Sequence, residues 1–260
     1  MTSSLPLAGL RILNTRPVSQ NKTLHEKIKT LGGESYLFPI IHIEACTLTK
    51  EQQAQLAHLA PWNAWIFTSQ NAVLHSMPYW PQWQPFMTNA TKVFAIGKAT
   101  EQKLLKNNFL HPVITPEKGF NSEALLEHPA LQHLHQQSIL LISGEGGRGL
   151  LENTLKERGA HLLKLPVYRR ITSTLLETTP LHFFEENHFH WAIFTSCESL
   201  HHFFSRWPVE SMQGLSLVVI SDRMVSFARN LGFKGRMIQA THGSADSIIR
   251  AIVTWQENHQ

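Results

Sequence analysis

Short apolar runs alternate with amphipathic segments along the chain. The first half opens with the run RILNT, followed by SQNKTLHEKIKTLGG and then by ESYLFPIIHIE. The second half has SILLIS, GLLENTLKERG and AHLLKLPVYRRI in the same order. Apolar runs of this length predict buried strands, and apolar positions three and four residues apart predict helices, here closed by glycine. Each half is therefore predicted to contain a strand, a helix and a second strand.

The two halves repeat one another. AWIFTS, at residues 64–69, returns as WAIFTS at residues 191–196, and the segments that follow also pair in order. KVFAIGKATEQKLLKNNF corresponds to LSLVVISDRMVSFARNLGF, and GFNSEALLEH corresponds to GSADSIIRAI. The register indicates an internal duplication whose repeat is much longer than that of a solenoid, so each half is large enough to supply a domain-sized layer.

Strands that alternate with amphipathic helices favour parallel sheets covered on both faces, which predicts an α/β fold with two similar parallel-sheet domains. Ligands of such sheets bind beyond the carboxyl ends of the strands, where helix N-termini point. Thr68 and Ser69 lie at such an end, as do Thr195 and Ser196. Their hydroxyls can cap the next helix or help to hold an anion. Two copies predict one ligand held between two sheet edges.

The composition, 260 residues with 42% apolar and 16% charged, is that of a soluble globular protein. The apolar runs are far shorter than the roughly 20 residues that cross a bilayer. MTSSLPLAG has neither a basic leader nor a long apolar segment, so we expect a cytoplasmic protein. The formal charge of +4 is carried by scattered Lys and Arg residues, which favours an anionic small molecule over nucleic acid or a membrane.

The sequence offers little support for a metal or a redox centre. Cys46 and Cys197 form no C-x-x-C pair, and none of the 16 histidines lies in an H-E-x-x-H motif. We therefore predict packing thiols and surface or helix-end histidines, with no metal.

GEGGRG, at residues 144–149, has the form G-x-G-x-x-G of a dinucleotide-binding turn. The following strand, however, ends in PVYRR without the acidic residue that binds a ribose hydroxyl, and the corresponding turn of the first half, NTRPVSQ, has no glycine. NADP is disfavoured but stays open, since the arginines suit a 2′-phosphate. We favour an anion-binding loop with Arg148 beside it.

A second strand-to-helix turn, AIGKAT, holds Gly97, where the backbone could approach a ligand, and Thr100 in the first helical turn. The turn can equally be a plain helix cap, and for Thr100 both interpretations stay open. Its counterpart VISDRM places Ser221 at the same position as a conventional helix cap, and Arg223 adds a positive charge.

Tyr168 ends the segment LPVYRR of the second half. It can pack its ring and leave the hydroxyl in water, or it can act as a general acid in a cleft. Both interpretations stay open on the residues alone.

Together, LNTRP, FTSQNAV, AIGKAT, SGEGGRGLL, LPVYRR, IFTSCES and GSADSIIRAI resemble the uroporphyrinogen-III synthase family in order and spacing. The resemblance implies an enzyme without a cofactor that cyclises hydroxymethylbilane to uroporphyrinogen III. The linear substrate loses its hydroxyl as water, its terminal ring is inverted through a spiro intermediate, and the macrocycle closes.

The resemblance also implies a crossed arrangement of the chain, with a ligand cleft between the domains. Residues 1–38 and 173–260 are expected to form one domain and residues 43–168 the other. Residues 39–42 and 169–172 are expected to form a two-stranded linker.

By the same resemblance, Tyr168 is the expected catalytic residue, assisting departure of the hydroxyl. The expected substrate-binding residues are Arg16, Thr68, Ser69, Gly97, Thr100, Arg148, Thr195, Ser196 and Arg223. The segment SDRM departs from the family's turn, because Ser221 replaces glycine and Met224 replaces threonine, which puts a backbone cradle there in doubt.

We expect a monomer that meets a polycarboxylate substrate and makes transient contact with the preceding deaminase. Two alternatives remain. The segment SDRM favours a non-catalytic tetrapyrrole-binding or regulatory protein on the same scaffold. The segment GEGGRG favours an NADP-dependent reductase.

Overall fold

The structure is a computed structural model that describes residues 5–117, 119, 121–147 and 149–259. Its strands are β1 (Arg11–Asn14), β2 (Glu34–Leu37), β3 (Ile41–Ala45), β4 (Ala64–Phe67), β5 (Lys92–Ala95), β6 (Val113–Ile114), β7 (Ser138–Gly144), β8 (His161–Thr172), β9 (Trp191–Ile193), β10 (Ser216–Val219) and β11 (Met237–Gln239).

Its helices are α1 (Val18–Thr30), α2 (Lys50–His58), α3 (Gln70–Ser76), α4 (Trp80–Trp83), α5 (Lys98–Lys106), α6 (Ser122–Leu126), α7 (Leu150–Glu157), α8 (Leu175–Thr178), α9 (His182–Asn187), α10 (Cys197–Arg206), α11 (Asp222–Asn230) and α12 (Ala245–Glu257). None of the helices in these ranges is long and apolar enough to cross a membrane.

The chain divides into two compact units, residues 1–42 with 171–260, and residues 43–170. The first unit contains a sheet of order β11-β10-β9-β1-β2, in which neighbouring strands are parallel. The second contains a sheet of order β3-β8-β7-β4-β5-β6, parallel from β8 to β6. The predicted α/β fold class with parallel sheets is confirmed.

Each sheet combines strands from both halves of the sequence. β1 and β2 of the first half pair with β9, β10 and β11 of the second, whereas β7 and β8 of the second half pair with β4, β5 and β6 of the first. If equivalent strands of the repeat carry the same number, the first sheet (β2-β1-β9-β10-β11) and the parallel part of the second (β8-β7-β4-β5-β6) both have the order 2-1-3-4-5. This order reverses between the first and third strands. The switch points therefore lie at β1/β9 and at β7/β4, and ligands are expected beyond the carboxyl ends of these strands.

The prediction of one continuous strand over ESYLFPIIHIE is wrong. The chain leaves the first sheet after Leu37 and enters the second at Ile41, and Pro39 between them has no N–H to continue a ladder. The corresponding segment of the second half remains one strand, β8, in which Pro166 lies beside a register irregularity between Ser143 and Gly144 of β7.

The strand β4 shows why its sequence is apolar at every position. Trp65 and Phe67 pack into the cluster on one face of the sheet, whereas Ala64 and Ile66 pack into the cluster on the other. A strand buried on both faces needs no polar alternation, as the pattern AWIF predicted.

Aromatic rings fill one side of the first unit. The ring of Phe203 lies 5.3 Å from that of Phe194, 5.5 Å from that of Phe184 and 5.1 Å from that of Trp207, measured between centroids. Two of these three contacts, those with Phe194 and Phe184, are edge-to-face, a geometry that aromatic pairs favour.

We expect Phe203→Ala to lower the free energy of unfolding by about 3–5 kcal/mol, because truncation of a buried ring leaves a cavity. Leu110→Ala is the control, since Leu110 is 82% exposed, and we expect it to change the stability by less than about 0.5 kcal/mol. Urea denaturation measures both. Equal effects of the two substitutions would contradict the assignment of Phe203 to the core.

Candidate functional site

The second unit has a cavity of about 220 Å³ at the β7/β4 switch point. The carboxyl end of β4 contributes Thr68 and Ser69, and the end of β7 contributes Ser143 and Gly144. The predicted sheet edge is thus a concave surface with hydroxyl groups. Its lining is completed by Ile96, Ser122, Leu141, Glu145, Gly146, Gly147, Gly149, Leu150, Leu151, Glu152, Lys164, Tyr168 and Arg170.

Ser69 links the first turn of α3 to the tyrosine of the cavity. Its Oγ accepts a hydrogen bond from the backbone N–H of Ala72 at 3.0 Å and lies 3.1 Å from Oη of Tyr168. Thr68 donates from Oγ1 to the carbonyl oxygen of Ile142 on the neighbouring strand, at 3.2 Å. Capping and contact with Tyr168 are therefore combined in one hydroxyl.

Tyr168 is only 3% exposed although it lines the cavity. Its ring stacks on that of His75 with centroids 5.9 Å apart, and the guanidinium carbon of Arg170 lies 5.9 Å from its centroid. Burial lowers the pKa of His75 below its ordinary value, which favours a neutral imidazole beside the phenol. The surroundings of the phenol thus combine a hydroxyl partner, a neutral ring and a guanidinium.

Gly144 allows the ring of Tyr168 to lie directly on the backbone of β7. A Cβ atom at this position would be 2.6 Å from Cζ of Tyr168 and 2.9 Å from its Oη. The first glycine of GEGGRG is therefore needed for packing of the tyrosine. Gly146 and Gly147, with φ of +76° and +97°, supply the left-handed backbone of the turn that follows. Arg148, predicted beside this turn, lies outside the described residues.

A cluster of charged side chains borders the same cavity. Nζ of Lys164 lies 3.0 Å from Oε2 of Glu152, and Nζ of Lys156 lies 2.7 Å from Oε1 of the same carboxylate. The hydrogen bonds from Lys156 and then from Lys164 lower the pKa of Glu152. The sequence interpretation missed Lys164, which lies on β8 together with Tyr168 and Arg170. Alternation along the strand would not have identified it, because the register shifts between Pro166 and Tyr168.

Gly97 and Thr100 lie at the start of α5 and are not among the residues that line the described cavity. Gly97 is the N-cap, and its φ of −176° is extended backbone that any residue adopts. Thr100 is 4% exposed and its N–H donates to the carbonyl oxygen of Gly97 at 3.0 Å. The structure therefore places the threonine in a packed helical turn.

The first unit has its own polar edge at the β1/β9 switch point. Thr15 donates from Oγ1 to the carbonyl oxygen of Ile193 at 2.5 Å. Ser196 caps α10, accepting from the backbone N–H of Ser199 at 3.1 Å, and Thr195 precedes it at the end of the β9 segment. The Thr-Ser pair therefore holds the same place in this sheet as Thr68 and Ser69 do in the other.

Arg16 follows β1 at this edge. Its Nε is buried without a hydrogen-bond partner among the described residues, and burial lowers its pKa. Nη2 donates only a long hydrogen bond of 3.4 Å to Oε1 of Gln20. A partly desolvated guanidinium with an unused N–H is a group that a carboxylate would satisfy.

The SDRM turn of the first unit is capped by its own side chain. Oγ of Ser221 accepts from the backbone N–H of Met224 at 3.4 Å, and the Met224 side chain is 3% exposed. Arg223 is exposed at the start of α11. A serine cap therefore replaces the free backbone that glycine would leave.

In the part of the chain that the structure describes, no group of three or more His, Cys, Asp or Glu side chains is arranged to hold a metal ion. Cys46 and Cys197 are partly buried free thiols.

Parallel sheets whose switch points carry hydroxyls, helix N-termini and a desolvated arginine define an α/β protein suited to a small anionic ligand. The model of the family described as Uroporphyrinogen-III synthase HemD matches residues 22–250. This chain belongs to the uroporphyrinogen-III synthase family.

Individual relatives agree with the family match. The uroporphyrinogen-III synthase of Escherichia coli K12 is 27% identical over 247 residues, covering 94% of this chain and 100% of the relative. That of Salmonella typhimurium is 28% identical over 256 residues, covering 94% and 100%. A mutant uroporphyrinogen III synthase of Thermus thermophilus has a solved structure that matches with a TM-score of 0.66 at 17% identity, covering 96% and 100%. This last likeness shows the fold.

We expect Gly144→Ala to lower the free energy of unfolding by about 1–3 kcal/mol, because the added methyl group would overlap the ring of Tyr168. Gly243→Ala is the matched control, since its Cβ would be no closer than 3.6 Å to another residue's atoms, and we expect a change within about 0.5 kcal/mol. Urea denaturation compares them. Similar stabilities would show that Tyr168 does not rest on Gly144.

We expect Glu152→Gln to lower the stability at pH 7 by up to about 1 kcal/mol, the usual limit for a partly exposed ion pair. Because the pKa of Glu152 is lowered in the folded state, its contribution is present above the unfolded pKa of about 4.3 and is lost as the pH falls through the folded value. The difference between variant and wild type should therefore shrink below about pH 4.

Melting temperatures measured from pH 3 to pH 8 test this dependence. Glu157→Gln, an exposed position on the same helix, is the control. A difference for Glu152→Gln that stayed constant over this range would contradict the ion-pair explanation.

Proposed function

We propose that this chain cyclises hydroxymethylbilane to uroporphyrinogen III, with inversion of the terminal ring and loss of water. The observation that carries the proposal is the family match over residues 22–250, with relatives of that name aligned over nearly the full length. The chain is thus an enzyme of porphyrin biosynthesis, a cyclising lyase.

The charge and chemistry of both sheet edges support this substrate, which carries carboxylates on every pyrrole. In the first unit, the buried Nε of Arg16 can donate to a carboxylate. In the second, the cavity offers the hydroxyls of Thr68 and Ser69 together with the side chains of Lys164 and Arg170. We propose that the two edges hold different carboxylates of one substrate.

Tyr168 is the proposed proton donor at the leaving hydroxyl. When the C–O bond breaks, the phenol would give its proton to the departing hydroxyl, which leaves as water. The hydroxyl of Ser69, 3.1 Å from Oη, can then donate to the phenolate. Most of the acceleration is assigned to holding the flexible bilane in a folded form, since proximity alone can lower a barrier by about 7–11 kcal/mol.

The product of a coupled assay tests the proposal. Purified protein supplied with porphobilinogen and the preceding deaminase should yield type III uroporphyrinogen, whereas exclusive formation of type I would overturn the proposal. Tight binding of a tetrapyrrole without turnover would favour the non-catalytic alternative, and a thermal shift with NADP would favour the reductase.

We expect Tyr168→Phe to lower turnover by about ten- to a thousandfold, a range that overlaps the usual contribution of a general acid. Tyr79→Phe is the matched control, because the Tyr79 hydroxyl makes only a 3.5 Å hydrogen bond to the carbonyl oxygen of Cys46. Rates of type III formation at saturating substrate measure both. An unchanged rate for Tyr168→Phe would show that this tyrosine has a packing role and is not the proton donor.

The other expectations from the sequence stay predictions. They concern a cytoplasmic location, a monomeric state, transient contact with the preceding deaminase, and a cleft between domains formed by residues 1–38 with 173–260 and by residues 43–168. The substrate-binding roles of Gly97, Thr100, Arg148, Thr195, Ser196 and Arg223 are likewise proposals.

A further inference from the structure

We propose that Lys164 binds a carboxylate of the substrate and that Glu152 occupies its place in the free protein. The inference rests on the proposed function, because it assumes a ligand rich in carboxylates. It concerns a residue that neither the motifs nor the expected site includes.

Lys164 lies on the wall of the cavity, on the same strand as Tyr168. Lys164, Tyr168 and Arg170 all line the cavity from β8. The Lys164 side chain is 28% exposed, so its ammonium group is neither free in water nor enclosed in the core. A cation placed in this way, on the same strand as the phenol, can reach a ligand in the cavity without a change of the backbone.

The ion-pair partner of Lys164 is Glu152. Glu152 holds Lys164 with one carboxylate oxygen, at 3.0 Å, and Lys156 with the other, at 2.7 Å. Two cations thus share one anion, and the cluster has an excess positive charge. Glu152 also lines the cavity, so its carboxylate lies where a carboxylate of the ligand would be.

Lys156 explains how Lys164 can exchange the carboxylate of Glu152 for a carboxylate of the ligand. When Lys164 turns to the ligand, Glu152 remains paired with Lys156 on α7, four residues further along the helix. The exchange therefore leaves no unpaired carboxylate at the cavity wall, which is the costly outcome when one partner of an ion pair is removed. Lys156 is exposed and is not among the described residues that line the cavity.

Binding of uroporphyrin III, the oxidised form of the product, tests the proposal. The seven tryptophans allow its Kd to be measured by fluorescence quenching. We expect Lys164→Met to raise the Kd by about tenfold or more, the usual effect of a lost charged hydrogen bond. Lys164→Arg should restore the affinity to within about threefold, since it keeps the charge.

Lys106→Met is the control, because it removes one positive charge from an exposed position of the same unit that is not among the described residues lining the cavity. We expect its Kd to change by less than about threefold, since Lys164 and its ion-pair cluster are retained. An effect as large as that of Lys164→Met would overturn the proposal, because it would show that only the net charge of the unit matters.

A double variant separates binding by Lys164 from simple neutralisation of Glu152. If Lys164 contacts the ligand, Glu152→Gln with Lys164→Met should bind about tenfold more weakly than Glu152→Gln alone. Equal affinities would overturn the proposal. Glu152→Gln alone should bind at least as tightly as wild type, and a tenfold loss would overturn the assignment of Glu152 as a replaceable partner.

A failure of the Lys164 proposal can be distinguished from a failure of the proposed function, because the two are tested by different measurements. If the wild type forms only type I uroporphyrinogen, the proposed reaction is wrong, while the comparison of Kd values still decides the role of Lys164. Melting temperatures report whether each variant folds. If Lys164→Met does not fold, the comparison of the double variant with Glu152→Gln alone decides the question.

Discussion

Pairing between strands from different halves of the sequence is the constraint on which both sheets depend. β4 pairs with β7 in the second unit, and β1 pairs with β9 in the first. Threonine reinforces each junction, because Thr68 bonds to the carbonyl oxygen of Ile142 and Thr15 to that of Ile193. Neither half of the chain contains a complete sheet. The switch points, where parallel sheets bind ligands, exist only because the halves exchange strands.

The candidate site of the second unit follows directly from this exchange. Ser69 comes from the first half of the chain, whereas Gly144 and Tyr168 come from the second. Their contacts are close because Gly144 has no side chain where the ring lies, and because the capping serine reaches the phenol. The most closely built part of the site is therefore a contact between repeats, and its geometry depends on a single missing methyl group.

Electrostatics differ between the two edges although the folds are similar. Arg16 is partly desolvated and has an unused N–H, so an anion would lower the free energy of the site without displacing a partner. Lys164 already holds a carboxylate, so a ligand would have to replace Glu152. Ser221 adds to the asymmetry, since it caps its own helix where Gly97 leaves the cap position without a side chain. The two edges of this duplicated scaffold therefore offer different groups to an anion.

The apolar pattern by itself determined the fold class, the repeat and the place of the Thr-Ser pairs, because strand burial and the direction of parallel strands follow from local periodicity. The family followed from ordered motifs. Tertiary structure decided what depends on contacts between distant segments. The segment ESYLFPIIHIE is divided between two sheets, and Thr100 is buried. The ring of Tyr168 packs on Gly144, and Lys164 forms an ion pair with Glu152. Local sequence specifies which face a residue occupies, but only strand order and register specify which residue it meets.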